Sequence, residues 1–152
     1  LLESRGLGDV YKRQAPYWNS EIRGGFYGIT QDTSIEDMTT AAFQSVAFQT
    51  KDITNILSLY DIKIQKLLVD GGMVSNKTFC QVLADTLQIE IVKPKNVEST
   101  AIGACKVAML SSGMSIENLS KNEIPYKVNK DRRDVYFRNY SKWQEYLLNT
   151  IK

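Results

Sequence analysis

Histidine is missing from all 152 residues. Without it, a Ser-His-Asp triad, a Cys-His dyad and any His-containing metal site are excluded within this chain. Cysteine occurs twice, at Cys80 and Cys105, too widely separated for the close pairing of a zinc or dithiol motif. Both read as reduced, packed thiols, the state expected of a cytoplasmic protein. No apolar run is long enough to cross a bilayer, and the first residues lack the basic, apolar and small-residue order of a secretory signal. An excess of one charge is absent as well. Nineteen Lys and Arg against seventeen Asp and Glu leave a formal charge of +2. No basic run interleaves with aromatics, which disfavours a nucleic-acid function. Neither an internal repeat nor a low-complexity tract stands out.

What is present is a 43% apolar chain of a length that fits one compact domain with its own core. Residues 1–14 differ in character from the rest. Asp9 to Gln14 follow neither a helical nor a strand pattern and run directly into Ala15-Pro16-Tyr17-Trp18. They read as a non-native leader similar to translated adaptor sequence, the alternative being a native flexible leader. Residues 15–152 carry the fold. The glycines and aromatics of Gly24 to Thr30 predict a short strand or turn pair. Ser34-Ile35-Glu36-Asp37 has capping-box spacing, with Asp37 at the position more often held by Glu or Gln. A long helix follows to about residue 59, its core face predicted from Met38, Ala42, Val46, Gln49, Ile53, Ile56 and Tyr60.

Lys63 to Val69 predicts a strand, which stops at Asp70-Gly71-Gly72 and restarts as a helix over Ser75 to Leu87. Gln88 to Val92 alternates as a second strand closed by Pro94. Ser99 or Thr100 caps the next helix, where Ala101, Gly103, Ala104 and Ala108 are small enough to pack closely on a sheet; Gly113 stops it. Strand, helix, strand, helix is an α/β order with right-handed crossovers, and ligands of such sheets sit beyond the carboxyl ends of the strands. That rule singles out Asp70 to Asn76. Lys121 to Lys130 reads as irregular, interrupted by Pro125. An amphipathic helix over about 131–151 then places Tyr136, Tyr140, Trp143, Leu147 and Ile151 on one face, which predicts docking on the domain rather than on a membrane surface.

Together these segments resemble the carboxyl-terminal part of the FGGY carbohydrate kinase family, in its glycerol kinase branch. The likeness rests on Ala15-Pro16-Tyr17-Trp18 with Arg23-Gly24, and on Gly24, Phe26, Gly28, Ile29, Asp37, Met38, Ala41 and Gln44. Ser45 to Asp52, Val69-Asp70-Gly71-Gly72 with Asn76, and Glu98 to Ala104 extend it. One departure is that Gly6-Leu7-Gly8 is separated from Ala15 by Asp9 to Gln14, as a displaced native remnant or by chance.

The resemblance implies an α/β fold, the actin-like, ribonuclease-H-like ATPase domain, with a mixed sheet flanked by helices. It also implies a fragment of an ATP-dependent glycerol kinase that forms the nucleotide-side wall of the cleft where ATP phosphorylates glycerol to glycerol 3-phosphate. The ATP-binding residues would be Gly71, Gly72 and Asn76: Gly72 through its backbone, Asn76 by a hydrogen bond near the adenine or ribose, and Gly71 by keeping the turn open. The phosphate hairpin, the glycerol contacts and the catalytic aspartate are expected upstream, so no catalytic residue and no metal ligand is assigned within the chain. Mg2+ would be held mainly through the nucleotide and the domain not seen here. The parent is expected to be a homo-oligomer, and the fragment alone inactive. Asp70 is read as binding neighbouring backbone amides rather than as a base, Glu98 as a helix-start carboxylate, and Thr30 and Gln31 as without a motif-supported role. Two alternatives stay open: another FGGY polyol or sugar kinase, and a noncatalytic actin-fold module that binds nucleotide or a partner.

Overall fold

The computed structural model describes residues 16–17, 24–95, 99–114 and 123–151. The leader, Trp18, Arg23 and Glu98 lie outside them. Helix α1 spans Ile35–Leu59, and its start is the capping box anticipated from Ser34 and Asp37. Ser34 Oγ accepts from the Asp37 amide at 3.1 Å, and Asp37 Oδ2 accepts from the Ser34 amide at 3.0 Å. Donation by the Ser34 hydroxyl and amide holds the Asp37 carboxyl below its usual range. Ahead of this cap, Gly24 to Thr30 form no strand. Gly28 turns the backbone to φ +76°, no partner strand lies alongside among the described residues, and Tyr27 of this segment stacks on Tyr146 at 4.9 Å.

The burial of α1 is rotated from the predicted face. Ala47, Phe48, Asp52 and Thr54 are buried, whereas Ala42, Ile53, Ile56 and Tyr60 are exposed, Tyr60 to 74%. The apolar arc of α1 is wider than the surface that covers it: α2 and α4 pack on one part and leave the rest open.

Strand β1 (Lys66–Leu68) is shorter than the predicted run, although its pairing continues one residue further through Val69 N to Val92 O at 2.9 Å. Helix α2 (Lys77–Leu87) crosses to β2 (Glu90–Pro94), which lies parallel to β1 with Leu67 opposite Ile91. Gln88, placed by its sequence pattern in the strand, instead ends α2 in the left-handed region at φ +57°. Eight of the eleven residues of α2 are buried, so this helix is the centre of the molecule rather than a cover on it. Its Val82, Leu83, Ala84 and Leu87 form one core with Ala47, Ile91 and Tyr136; Phe79, Cys80 and Val74 form a second.

Two further expectations are corrected. Helix α3 (Ser99–Ser111) ends as predicted at Gly113, with paired bonds from Gly113 N to Leu110 O and from Met114 N to Met109 O. Its small residues Ala101, Gly103, Ala104 and Ala108 do not pack on the sheet, however, and are exposed along with Cys105. The second correction concerns the segment around Pro125, which forms strand β3 (Glu123–Tyr126), antiparallel to β2, with Pro125 opposite Val92. Because Val92 O faces β1, the Val92–Pro125 pair is of the kind without mutual hydrogen bonds, and the nitrogen of Pro125 points outward where no donor is needed. The sheet is therefore mixed, in the order β1-β2-β3.

Helix α4 (Arg133–Ile151) closes the layer. Tyr136, Tyr140 and Leu147 are buried, and Phe48 of α1 lies 5.6 Å from the Tyr140 ring and 5.7 Å from that of Trp143. Where the helices meet, the Asp52 carboxylate accepts from both the Tyr17 hydroxyl, at 2.6 Å, and the Tyr140 hydroxyl. Burial, followed by the bond to Asp52, raises the Tyr140 phenol above its ordinary value.

Candidate functional site

Parallel strands β1 and β2 end side by side, and a groove of about 200 Å3 opens beyond them, lined by Leu68, Val69, Asp70, Val92, Pro94 and Glu123. This is where a parallel α/β sheet offers room for a ligand. The chain leaves β1 through Asp70 and Gly71. Gly71 sits at φ +101°, ψ 175°, a conformation open essentially to glycine alone. Next comes one turn of 3-10 helix, Gly72–Ser75, which buries Val74 and leaves Gly72, Met73 and Ser75 exposed. A Cβ built on Gly72 meets nothing within 4 Å, and its φ is not positive. Nothing in the described fold therefore requires glycine at 72, and the space in front of it is free.

Asn76 begins α2. Its Oδ1 accepts from Thr78 N at 2.9 Å and Phe79 N at 3.2 Å, which satisfies two orphan amides of the helix start. These bonds orient the side-chain amide and leave Nδ2 available to donate on the exposed side of the turn. The helix-start role thus occupies the oxygen of this side chain and not its nitrogen. Gly71, Gly72 and Asn76 are brought together within six residues of one turn.

Asp70 is exposed, and no described residue donates to its carboxylate, contrary to the expected bonds to neighbouring amides. Gly71 continues in an extended, mirror-image conformation and does not curl those amides back toward it. Thr30 pairs with Thr33 in an exposed turn, and Gln31 is exposed beside it. Among the described residues no group of three or more His, Cys, Asp or Glu could hold a metal ion.

Beneath the turn lies a feature absent from the sequence reading. Lys93 of β2 is buried, and its ammonium donates to Val74 O at 2.8 Å; Cys80 Sγ donates to the same oxygen at 3.3 Å. Burial raises the Cys80 thiol, so it stays protonated there. A Lys-Pro pair at a strand end carries no local signal for such a contact, which depends on the α2 crossover.

Comparison with known proteins follows the same line. The family profile described as "FGGY family of carbohydrate kinases, C-terminal domain" matches residues 7–112. A glycerol kinase of Streptococcus uberis is 37% identical over 136 residues, covering 84% of this chain and 27% of the relative. One from Aquifex aeolicus is 35% identical over 147 residues, covering 91% and 29%. Among solved structures, Plasmodium falciparum glycerol kinase with ADP superposes with a TM-score of 0.72 at 27% identity, covering 91% of this chain and 29% of that one. A gluconate kinase of Lactobacillus acidophilus reaches a TM-score of 0.73 at 20% identity, covering 94% and 30%, a likeness of fold. The chain spans about a quarter of the length of the curated relatives it matches.

Proposed function

This chain belongs to the FGGY family of carbohydrate kinases, with the family's actin-like fold, and we propose that it forms the nucleotide-side wall of an ATP-dependent glycerol kinase. The observation that carries the proposal is the open position at Gly72: it faces free space that its own fold does not use, beside an Asn76 amide with a donor to spare. Relatives 35% and 37% identical are glycerol kinases, and a neighbour of known structure was solved with ADP, which supports a purine nucleotide as the occupant.

In this reading the Gly72 backbone lies against the nucleotide, and Asn76 Nδ2 donates to an acceptor of the adenine or ribose. Gly71 supplies the conformation that lets the main chain come close. These contacts hold the nucleotide alike in the ground and transition states, so their loss falls on its binding. ATP supplies the phosphoryl group, and Mg2+ neutralises charge on its phosphates when bound. That ion would be held mainly through the nucleotide and by the part of the enzyme that this chain does not span. The base and the phosphate-binding groups are likewise proposed to lie in the part of the enzyme that this chain does not span.

The test is Gly72→Val in the full-length enzyme. The KM for ATP is expected to rise by about tenfold or more while that for glycerol stays put, since a branched side chain then occupies the approach face. An unchanged nucleotide KM in a folded variant refutes the assignment. A second expectation is that the purified 152-residue chain forms no glycerol 3-phosphate from ATP and glycerol. Turnover by the chain alone would place the reacting groups within it.

A further inference from the structure

A lysine inside the core demands an account. Lys93 is 7% exposed on the central strand, and among the described residues no carboxylate pairs with it. Taking an ammonium out of water is unfavourable unless hydrogen bonds compensate, and an unbranched apolar side chain would fill the same space without that cost. The ammonium is spent on one carbonyl, that of Val74, at 2.8 Å. Val74 is itself 3% exposed and lies midway between Gly72 and Asn76. Its oxygen receives a second bond from the Cys80 thiol, a weaker donor, at 3.3 Å.

We propose that Lys93 is a positioning residue for the nucleotide: its charge-assisted bond to Val74 O fixes the height and tilt of the Gly72–Asn76 turn. The inference rests on the reading of that turn as the nucleotide wall. Lys93 touches no ligand. It reaches across from β2, so the end of one strand sets the backbone beyond the end of its neighbour. Without the ammonium, Val74 O is left to the thiol alone, and the turn drops the anchor between its two ligand-facing residues. Displacements of about an ångström at such a contact are enough to weaken binding.

The experiment measures KM for ATP and for glycerol in full-length enzyme carrying Lys93→Met, Lys93→Arg or Gly72→Val. Lys93→Met is expected to raise the ATP KM about tenfold and leave the glycerol KM within about twofold. Lys93→Arg, which keeps a charged donor, restores most of the loss. If Gly72→Val impairs ATP binding and Lys93→Met does not, the inference is overturned and the reading of the turn stands. If neither impairs it, the reading fails and takes the inference with it. An equal loss for both substrates in Lys93→Met, with no rescue by Arg, marks a merely structural lysine and also overturns the proposal. Should Lys93→Met not fold, Lys93→Gln is followed by amide hydrogen exchange. Acceleration confined to residues 72–76 supports the proposal, and acceleration spread over β2 and α2 overturns it.

Discussion

Replacing Asp52 by alanine is expected to destabilise the fold by about 3 kcal/mol, the range for leaving buried partners of a carboxylate unpaired. The residue is 6% exposed, and it joins three parts of the chain. Its oxygens accept from Tyr17 ahead of α1, and from Tyr140 and, at 3.3 Å, Gln144 on α4. Asn55 and Gln144 in turn donate to the Tyr140 hydroxyl at 3.0 and 2.8 Å. Alanine removes the acceptor of the Tyr140 proton while these two donors still crowd its oxygen, so a buried hydroxyl is left with nowhere to donate. Asp52→Asn keeps one acceptor oxygen and should cost about half as much. Urea denaturation followed by circular dichroism measures both. An Asp52→Ala midpoint equal to the parent's would show that the node contributes nothing and that α4 is held by its aromatic contacts alone.

Ile91→Ala is expected to be the other severe change, at about 3 to 4 kcal/mol. Ile91 is fully buried on the central strand, beneath α2, in the core that includes Val82, Leu83, Leu87 and Tyr136. Strands on both sides pair with it, Leu67 from β1 and Tyr126 from β3, so the backbone has little freedom to collapse into the space vacated. Ile91→Val, losing one methylene, should cost about 1 kcal/mol. A ratio near one between the two variants, read from the same denaturation curves, would mean that the sheet does relax.

Local signals in the sequence proved legible where the physics is local. The Ser34–Asp37 box lies within four residues, the Gly113 stop within one turn, and the turn from Gly71 to the helix start at Asn76 within six residues. The periodicity that predicts two strands and an intervening helix likewise needs only neighbouring positions. What was not legible depends on partners far along the chain. An apolar arc on α1 is visible, but which part of it α2 and α4 cover is not, and so the face predicted from Met38 through Val46 and Gln49 to Tyr60 differs from the one buried at Ala47 and Phe48. Nothing local marks Asp52 as buried, since the hydroxyl that meets it belongs to Tyr140, 88 residues away. Pro125 reads as a breaker because its harmlessness depends on register with Val92. Small residues on α3 predict close packing, yet size alone names no surface to pack on. At the candidate site the turn is readable and the bond from Lys93 beneath it is not, since 19 residues and a crossover separate that lysine from Val74.

The proline of β3 has a consequence for how the sheet meets other chains. Since Val69 N bonds to Val92 O, Lys66 and Leu68 aim their backbone groups away from β2, and Leu68 is 67% exposed. A foreign strand adding beside β1 finds donors and acceptors alternating in full. One adding beside β3 finds a gap in the donor row at Pro125. Among the described residues the two borders therefore differ as templates for an added strand, β1 offering the unbroken row and β3 the interrupted one.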